Sequence, residues 1–337
     1  YESVLLNSYA AAGQRWGLDS NDSGVYVLPP REKEDAAFAE YRGTADAISQ
    51  NIDFIDNQDP DYVLILSGDH IYKMDYAAML KAHIETGADC TIAAINVPLS
   101  EASRFGILNT NPDGSIYQFE EKPKVPKSTL ASMGIYIFTA NKLFKYLEED
   151  EANPNSSKDF GKDVLPAMLN AGEKMYSYLF EGYWKDVGTI ASLWQANMDL
   201  LGENPEFDVN DKAWKIHSRN PLAPPEYIGE DAVVKNSMIA LGCEIEGTVE
   251  NSVLGSNVIV EKGAVIKDAV VLANSIIKSG ASVSYSIIDE NVIVEKNSVI
   301  GVEKNPKAEI VVLGRDITVG DGVRVLSGQK NEKDILV

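Results

Sequence analysis

The chain has 337 residues, enough for about two domains, and 45% of them are hydrophobic, so it can build a packed core. It carries 51 acidic and 30 basic residues, with a formal net charge of -21. That excess disfavours nucleic acid and anionic membrane surfaces as partners, because both are bound by basic faces. Cys90 and Cys243 show no metal-ligand spacing and exclude a disulfide framework. They fit a reducing compartment, and we expect a cytoplasmic protein.

The segment 1–206 alternates apolar strands with amphipathic helices. Residues 62–66 form a continuous apolar run, as in a strand covered on both faces, and residues 90–95 also predict a buried strand. Residues 76–84, between them, have helical periodicity. Strand, helix and strand in this order predict an α/β domain with a mostly parallel sheet. The turn residues at 111–114 (NPDG) predict a hairpin within it.

The period changes after a polar, proline-containing segment at 207–226, which we interpret as a linker. Beyond it, aliphatic residues recur at every fifth or sixth position, in sets of three that repeat at a constant interval. They are Leu254, Val260, Ile266, Val271, Ile277, Val283, Ile288, Val294 and Ile300. This period is typical of a hexapeptide β-helix, in which three short strands form one triangular coil. A sandwich of short strands is the less favoured alternative.

The same repeat can be extended in both directions along the chain. A further shift back by the same interval places Ser237, Cys243 and Val249 at the interior positions. Towards the C-terminus, residues 317–323 predict a last coil, which follows an inserted loop at about 301–314.

Two carboxylates follow strand-like segments of the first half. Asp69 comes after the apolar run at 62–66, and Asp186 comes after a strand-like run at 175–180. Open α/β sheets bind ligands at the carboxyl ends of their strands, and carboxylates there suit Mg²⁺. We therefore predict that Asp69 and Asp186 share one ion. A capping role for Asp69 and a solvated loop position for Asp186 are the alternatives.

Three other segments carry side chains suited to a phosphate, a sugar or a base. Lys122 can bind a phosphate, and the neighbouring Glu121 can accept hydrogen bonds from sugar hydroxyls, although such charge runs are often only solvated. Ser132 opens a strand and can bind a phosphate or sugar. Gly43 leaves room for a flat base beside a helix start, for which a capping role of Thr44 is the alternative.

Six segments together resemble the glucose-1-phosphate adenylyltransferase family of the bacterial glycogen type. They are residues 41–47 (YRGTADA), 67–76 (SGDHIYKMDY), 121–123 (EKP), 131–136 (ASMGIY), 159–163 (DFGKD) and 183–189 (YWKDVGT). The resemblance implies a Rossmann-like nucleotidyltransferase domain over 1–206, a linker over 207–226 and a left-handed hexapeptide β-helix over 227–337.

The resemblance also implies a reaction and its residues. ATP and glucose 1-phosphate would give ADP-glucose and pyrophosphate, for glycogen or α-glucan synthesis. Mg²⁺ would lie on Asp69 and Asp186, which with Lys122 are the implied catalytic residues. The implied substrate-binding residues are Tyr41, Gly43, Thr44, Ala45, Gly106, Glu121, Lys122, Ser132, Asp159 and Lys162. Within this set, residues 41–45 would line the adenine side.

The family is tetrameric and allosteric. We therefore expect a homotetramer, or a heterotetramer with a related subunit, and a sugar-phosphate effector. The family also places a glycine-rich phosphate loop ahead of these segments, and the sequence holds no Gly-Gly-x-Gly-x-Arg. We expect the first βα unit to be missing and the chain as given to be inactive.

Two alternatives stay open from the sequence. One is a non-catalytic regulatory subunit of the same complex, and the other is a sugar-1-phosphate nucleotidyltransferase that uses a different nucleotide. Regulatory subunits tend to lose the metal-binding Asp, so the presence of Asp69 and Asp186 favours catalysis. The β-helix segment lacks the His that hexapeptide acyltransferases use as a base, which disfavours that class.

Overall fold

The computed structural model describes residues 3–10, 13, 16–19, 24–30, 40–218 and 221–336. The chain forms two compact units, of which the first comprises residues 1–68 and 72–182 and the second residues 69–71 and 183–337. The division at residue 182 lies ahead of the predicted linker at 207–226, which stays a prediction. Among the described residues, no helix is long and apolar enough to cross a membrane.

The N-terminal half alternates helices and strands, as its sequence pattern predicted. Its helices are α1 (Ser3–Ala10), α2 (Thr44–Ser49), α3 (Ile52–Asp56), α4 (Tyr76–Thr86), α5 (Leu99–Ala102), α6 (Ala140–Ala152) and α7 (Leu165–Asn170), with a π-helical turn at Phe160–Val164. Its strands are β1 (Tyr62–Ile65), β2 (His70–Tyr72), β3 (Cys90–Asn96), β4 (Gly106–Thr110), β5 (Ile116–Glu121), β6 (Leu130–Thr139) and β7 (Met175–Leu179). Asp75 caps α4 by accepting from the N–H of Ala77 (2.9 Å), and Gly87 ends it in the left-handed region.

The central sheet of the first unit is mixed rather than mostly parallel. Its order is β5–β4–β6–β3–β7, with β1 also paired to β6. Strands β1 and β3 point the same way, as the strand–helix–strand pattern predicted, but β6 lies between them and is antiparallel to both. The expectation of a mostly parallel sheet is thereby corrected. The predicted hairpin is confirmed, because β4 and β5 pair in antiparallel fashion around residues 111–114.

The core of the first unit lies between this sheet and the helices that cover it. Ile92 of β3, Phe138 of β6 and Leu143 of α6 are fully buried there. Burial of such side chains stabilises a fold by about 1.5–3 kcal/mol each. Because both faces of β3 and β6 are covered, the apolar side chains in these strands do not alternate with polar ones.

The second unit contains three parallel six-stranded sheets, which form a left-handed β-helix-like stack. One sheet holds β10 (Val233–Lys235), β13 (Thr248–Glu250), β16 (Val265–Lys267), β19 (Ser282–Ser284), β22 (Val299–Ile300) and β25 (Arg324–Val325). Another holds β11 (Met238–Ile239), β14 (Val253–Leu254), β17 (Val270–Val271), β20 (Ser286–Ile288), β23 (Val311–Leu313) and β26 (Lys330–Asn331). The third holds β9 (Tyr227–Ile228), β12 (Glu244–Ile245), β15 (Ile259–Val260), β18 (Ile276–Ile277), β21 (Ile293–Val294) and β24 (Thr318–Val319).

The constant interval of the predicted repeat is confirmed by the strand register. Ile259 pairs with Ile276, and Ile276 pairs with Ile293, which is the same step as from Leu254 to Val271. The nine predicted aliphatic positions are at most 1% exposed. The predicted last coil is present as β24 to β26, and the inserted loop lies at 301–310, between β22 and β23.

The first coils depart from this repeat. Ile245 rather than Cys243 pairs with Val260, so the step between these coils is shorter than the later steps. The same shift puts Ile239 at the interior position predicted for Ser237. The extrapolation from the later coils was wrong in register at these two positions, because the corner between β12 and β13 is shorter than the corresponding later corners, although Cys243 is still buried in the β-helix core.

Asparagine residues turn the corners of the β-helix. Asn257, Asn274 and Asn291 each have a φ of 61°, in the left-handed region that Asn tolerates better than most residues. The side-chain amide of Asn257 donates to Asn274 (3.1 Å), Asn274 donates to Asn291 (3.1 Å), and Asn291 donates to Asp316 (2.7 Å). Each coil is therefore hydrogen-bonded to the next at its corner as well as through its strands.

His83 of α4 is a buried titratable group beneath the sheet of the first unit. Its Nδ1 lies 2.8 Å from the Thr91 hydroxyl, and its Nε2 lies 3.2 Å from the Thr139 hydroxyl. The Thr139 hydroxyl donates to the carbonyl of Ala88 (3.0 Å), so Nε2 must donate to Thr139 and Nδ1 must accept from Thr91. Burial lowers the pKa of His83 against the opposing charge of Asp89.

We expect the free energy of unfolding to decrease as the pH falls below about 6.5, where free imidazole titrates. Below that pH the unfolded chain binds a proton on His83 that the buried ring of the folded protein does not bind, so the folded state is disfavoured. In a His83→Gln variant, the free energy of unfolding should decrease less steeply between neutral and mildly acidic pH. Urea unfolding at a series of pH values measures this dependence. The exposed His217→Gln variant is the control. Equal slopes for wild type and His83→Gln would contradict this role.

Candidate active site

A cavity of about 460 Å³ opens at one edge of the sheet in the first unit. Its walls come from α2, the end of β1, the end of β5, β6 and the π-helical turn. The lining residues are Thr44, Ala47, Ile48, Ile65, Leu66, Ser67, Gly68, Glu121, Lys122, Gly134, Tyr136, Asp159, Phe160 and Gly161. Four of the predicted site residues, namely Thr44, Glu121, Lys122 and Asp159, thus share one cavity.

Lys122 leaves the strand β5 with an unusual backbone. Its φ is 46°, a conformation that side-chain-bearing residues rarely adopt, and Pro123 follows it. The N–H of Lys122 donates to the carbonyl of Phe105 (3.1 Å), which fixes this turn. Its ammonium lies 3.7 Å from the Glu121 carboxylate, and its side chain is 64% exposed, so the ammonium keeps hydrogen-bonding capacity for an anion in the cavity.

Two glycines make room for the carboxylate of Glu121. A Cβ at Gly161 would lie 2.5 Å from Oε2 of Glu121, and a Cβ at Gly106 would lie 3.0 Å from the same atom. Gly106 is buried and does not line the cavity, and its predicted role in substrate binding stays a prediction. Burial raises the pKa of Glu121, and the charge of Lys122 opposes that shift.

Asp159 and Thr44 join two of the predicted segments. The Asp159 carboxylate caps the π-helical turn by accepting from the N–H groups of Gly161 (3.0 Å) and Lys162 (3.1 Å). The Thr44 hydroxyl donates to Asp159 (3.2 Å) and accepts from the N–H of Phe160 (3.2 Å). Lys162 itself is exposed and lies outside the cavity lining.

Three residues predicted on the adenine side do not line the cavity. The Tyr41 hydroxyl donates to the carbonyl of Leu28 (2.8 Å). Gly43 packs so closely on the backbone of Lys158 that a Cβ would collide with it. Ala45 is fully buried in the core, and its predicted place on the adenine side stays a prediction. Small residues are needed in this segment because another chain segment passes close to it.

Ser132, predicted to bind substrate, also does not line the cavity. It is 8% exposed, and its hydroxyl accepts from the N–H of Gly134 (3.2 Å) rather than lining the cavity. Gly134 and Tyr136 do line the cavity, although their sequence pattern did not mark them as site residues. The register of β6 against β3 is irregular between Ile92 and Ala94, opposite the segment of β6 that contains Gly134. A glycine inside a strand pattern was the available signal, since it often marks such a bulge.

The second unit brings the two predicted metal ligands together. One ligand atom each from Asp69, His70 and Asp186 lies within 4.8 Å of the others. Asp69 precedes β2, which pairs with β8 (Trp184–Asp186) in a two-stranded sheet, and the N–H of Val187 donates to the Asp69 carbonyl (3.1 Å). The Asp186 carboxylate accepts from the N–H of Gly188 (2.7 Å), which fixes its orientation.

The donor set of this acidic cluster fits Mg²⁺. The ion prefers oxygen ligands, takes one or two protein carboxylates and keeps several waters. The side chain of Asp69 is 62% exposed, which leaves room for such waters. His70, which sequence analysis did not select, lies with Nε2 3.5 Å from the Asp69 carboxylate. Its Nδ1 is buried and has no hydrogen-bond partner in the part of the chain that the structure describes.

Asp199 holds the strand that carries Asp186. The Asp199 carboxylate accepts from the Tyr183 hydroxyl (2.8 Å) and from Gln195 (2.7 Å), and it pairs with Lys185 (2.9 Å). Burial alone would raise the pKa of Asp199, but these hydrogen bonds lower it below its usual value. Residues on both sides of Trp184 are therefore held by one buried carboxylate.

Comparison with known proteins gives the class of the chain. Residues 1–203 match the nucleotidyl transferase family, and residues 226–327 match the family of GlmU-like C-terminal hexapeptide domains. The chain therefore belongs to the nucleotidyl transferases, with a hexapeptide domain as its second part.

Similarity to individual proteins identifies the family within this class. The chain is 58% identical to the glucose-1-phosphate adenylyltransferase of Clostridium perfringens (strain SM101 / Type A), over 82% of this chain and 71% of the relative. It is 54% identical to that of Clostridium botulinum (strain Alaska E43 / Type E3), over 95% and 82%. It is 51% identical to that of Desulforamulus reducens, over 96% and 82%. The chain is thus a member of the glucose-1-phosphate adenylyltransferase family, which confirms the resemblance inferred from its six segments.

Proposed function

We propose that this protein transfers the adenylyl group of ATP to α-D-glucose 1-phosphate, giving ADP-glucose and pyrophosphate for α-glucan synthesis. The proposal is supported chiefly by the places that the segments shared with the glucose-1-phosphate adenylyltransferase family occupy in the structure. EKP and DFGKD contribute to one cavity, and GDHIYK and YWKDVGT supply the paired carboxylates. Identity of 51–58% to enzymes of this name supports the choice of substrates.

The chemistry requires positioning and charge neutralisation more than acid–base catalysis. An oxygen of the sugar phosphate attacks the α-phosphorus of ATP. A new P–O bond forms as the bond to the β-phosphate oxygen breaks, and pyrophosphate leaves with that electron pair. The exposed ammonium of Lys122 suits the phosphate of glucose 1-phosphate, and the Glu121 carboxylate suits its sugar hydroxyls. Asp159 lines the same cavity and can orient the sugar.

Asp69 and Asp186 are the residues that would hold Mg²⁺. When bound, the ion supplies neutralisation of phosphate charge and a template for the reacting groups. The hydrogen bond from Gly188 to Asp186, and the pairing of β2 with β8, keep both carboxylates in place for this task.

Three further properties belong to the same proposal. The protein assembles as a homotetramer or as a heterotetramer with a related subunit, and a sugar phosphate regulates it. The flat outer faces of the β-helix support assembly, since they suit packing between subunits. It works in the cytoplasm, which is supported by two cysteines that are both buried and free.

A panel of nucleotides separates the proposal from its two alternatives. The full-length protein with glucose 1-phosphate should form a nucleotide sugar from ATP and much less from UTP, dTTP or CTP, as measured by chromatography of the products. A preference for another nucleotide would favour a different sugar-1-phosphate nucleotidyltransferase. No product from any of the four, in a folded protein, would favour a regulatory subunit.

Substitution of Asp69 by Asn should lower kcat by about 100-fold or more, because it removes a charge from the proposed metal site. The side chain of Asp69 is largely exposed, so the fold should be retained, as circular dichroism can check. Asp231→Asn is the matched control, since Asp231 is a 75%-exposed carboxylate of the same unit. Near-normal turnover in Asp69→Asn would remove Asp69 from the mechanism.

Lys122→Gln should chiefly raise the KM for glucose 1-phosphate, because it removes the cation proposed to bind the phosphate. Lys127→Gln is a closely matched control. Lys127 is 63% exposed against 64% for Lys122, and it pairs with Glu120 outside the cavity lining. Steady-state kinetics with varied glucose 1-phosphate measure the effect. The same KM in both variants would contradict the role of Lys122.

A further inference from the structure

The helix that follows the carboxylate strand packs on the β-helix. Helix α8 (Ile190–Met198) contributes Trp194, which is 3% exposed. The indole N–H of Trp194 donates to the carbonyl of Asp268 (2.8 Å), at a corner of the β-helix. Val270 and Ile287 belong to the same buried apolar cluster as this indole. The helix is thus attached to the β-helix by one aromatic side chain that is both enclosed and hydrogen-bonded.

Tyr285 contacts Trp194 from a corner of the β-helix at which its backbone is strained. It occupies the corner position at which the two preceding coils have Asn251 and Asp268, with φ values of 47° and 51°. Tyr285 itself has a φ of 46°, which is unfavourable for a bulky residue. Its ring meets that of Trp194 edge to face, with a centroid distance of 5.0 Å. The favourable free energy of this aromatic contact offsets the cost of the strained backbone at the corner.

The inserted loop closes over the same tryptophan. Lys304, within residues 301–310, places its ammonium 4.3 Å from the ring centroid of Trp194 and 5.9 Å from that of Tyr285. A cation at this distance attracts the face of an aromatic ring. Trp194 is therefore held by a carbonyl, a neighbouring ring and a cation at once, all from the β-helix.

The two ends of α8 hold the strand that bears Asp186. At the N-terminus, Thr189 and Ser192 form a capping box, and Thr189 directly follows Gly188, whose N–H binds the Asp186 carboxylate. At the C-terminus, Asp199 binds the side chains on both sides of Trp184. The position of Asp186 relative to the β-helix therefore depends on the position of α8.

We propose that Trp194 is a positioning residue for the metal site, through which the β-helix fixes the Asp186 carboxylate beside Asp69. The inference rests on the proposed role of these two carboxylates. Without the indole, α8 loses its fixed place on the β-helix, and the carboxylate pair loses its geometry. Removing groups that orient metal ligands typically weakens binding by about 10–100-fold, and a residue one step further out should have an effect of roughly 3–10-fold.

The test measures Mn²⁺ binding to the full-length protein without turnover, by electron paramagnetic resonance. Asp69→Asn should abolish Mn²⁺ binding at this site and so show which bound Mn²⁺ belongs to it. Trp194→Leu should weaken Mn²⁺ binding and raise the Mg²⁺ concentration needed for half-maximal activity, while leaving the KM for glucose 1-phosphate nearly unchanged. Trp214→Leu is the control, because Trp214 is 48% exposed. Trp194→Phe keeps the ring packing and should recover part of the affinity.

A folded Trp194→Leu protein that binds Mn²⁺ as tightly as wild type would overturn the inference. If that variant does not fold, as thermal unfolding would show, Lys304→Met replaces it. Lys304→Met loosens the cover of the indole and should weaken Mn²⁺ binding by a smaller factor; unchanged binding would count equally against the inference. Failure of the proposed function has a different signature, namely a wild-type protein that makes no nucleotide sugar.

Discussion

Two like charges lie close together in this protein, and the rest of the proposed chemistry depends on holding them there. Ligand atoms of Asp69 and Asp186 are within 4.8 Å, where two carboxylates repel each other. The pairing of β2 with β8 and the N–H of Gly188 hold them against that repulsion. A divalent cation relieves the repulsion directly, so the same arrangement that costs free energy without metal favours binding of the metal.

The compact units do not coincide with the family segments. The nucleotidyl transferase family covers residues 1–203, whereas the second compact unit already begins at 183 and also includes residues 69–71. The reason is the packing of α8, whose buried Trp194 belongs by sequence to the first family and by contact to the β-helix. The β-helix is therefore structurally continuous with the carboxylate pair.

Features set by interactions between residues close in sequence could be predicted, whereas features set by long-range strand pairing could not. The β-helix could be predicted because its repeat is local, and each coil uses the same residue types. The proximity of Asp69 and Asp186 was expected from the strands that precede them, but the structure produces it through a separate two-stranded sheet, β2 with β8. By contrast, the insertion of β6 between β1 and β3 depends on long-range pairing that no local pattern encodes. The register irregularity of β6 against β3, beside which Gly134 and Tyr136 line the cavity, has the same origin.

The corners of the β-helix determine where the chain tolerates changes in length. Ser286 of β20 pairs with Val311 of β23, whereas the regular step of the repeat would have brought it to Glu303. The extra residues form a loop outside the coil, and the interior side chains Ile300 and Leu313 stay fully buried on either side of it. An insertion within a strand would instead turn every following interior side chain of that strand outward. Evolutionary additions, or an engineered peptide tag, are therefore best accommodated at a corner, and within 301–310 they should leave Lys304 in place, because it covers Trp194.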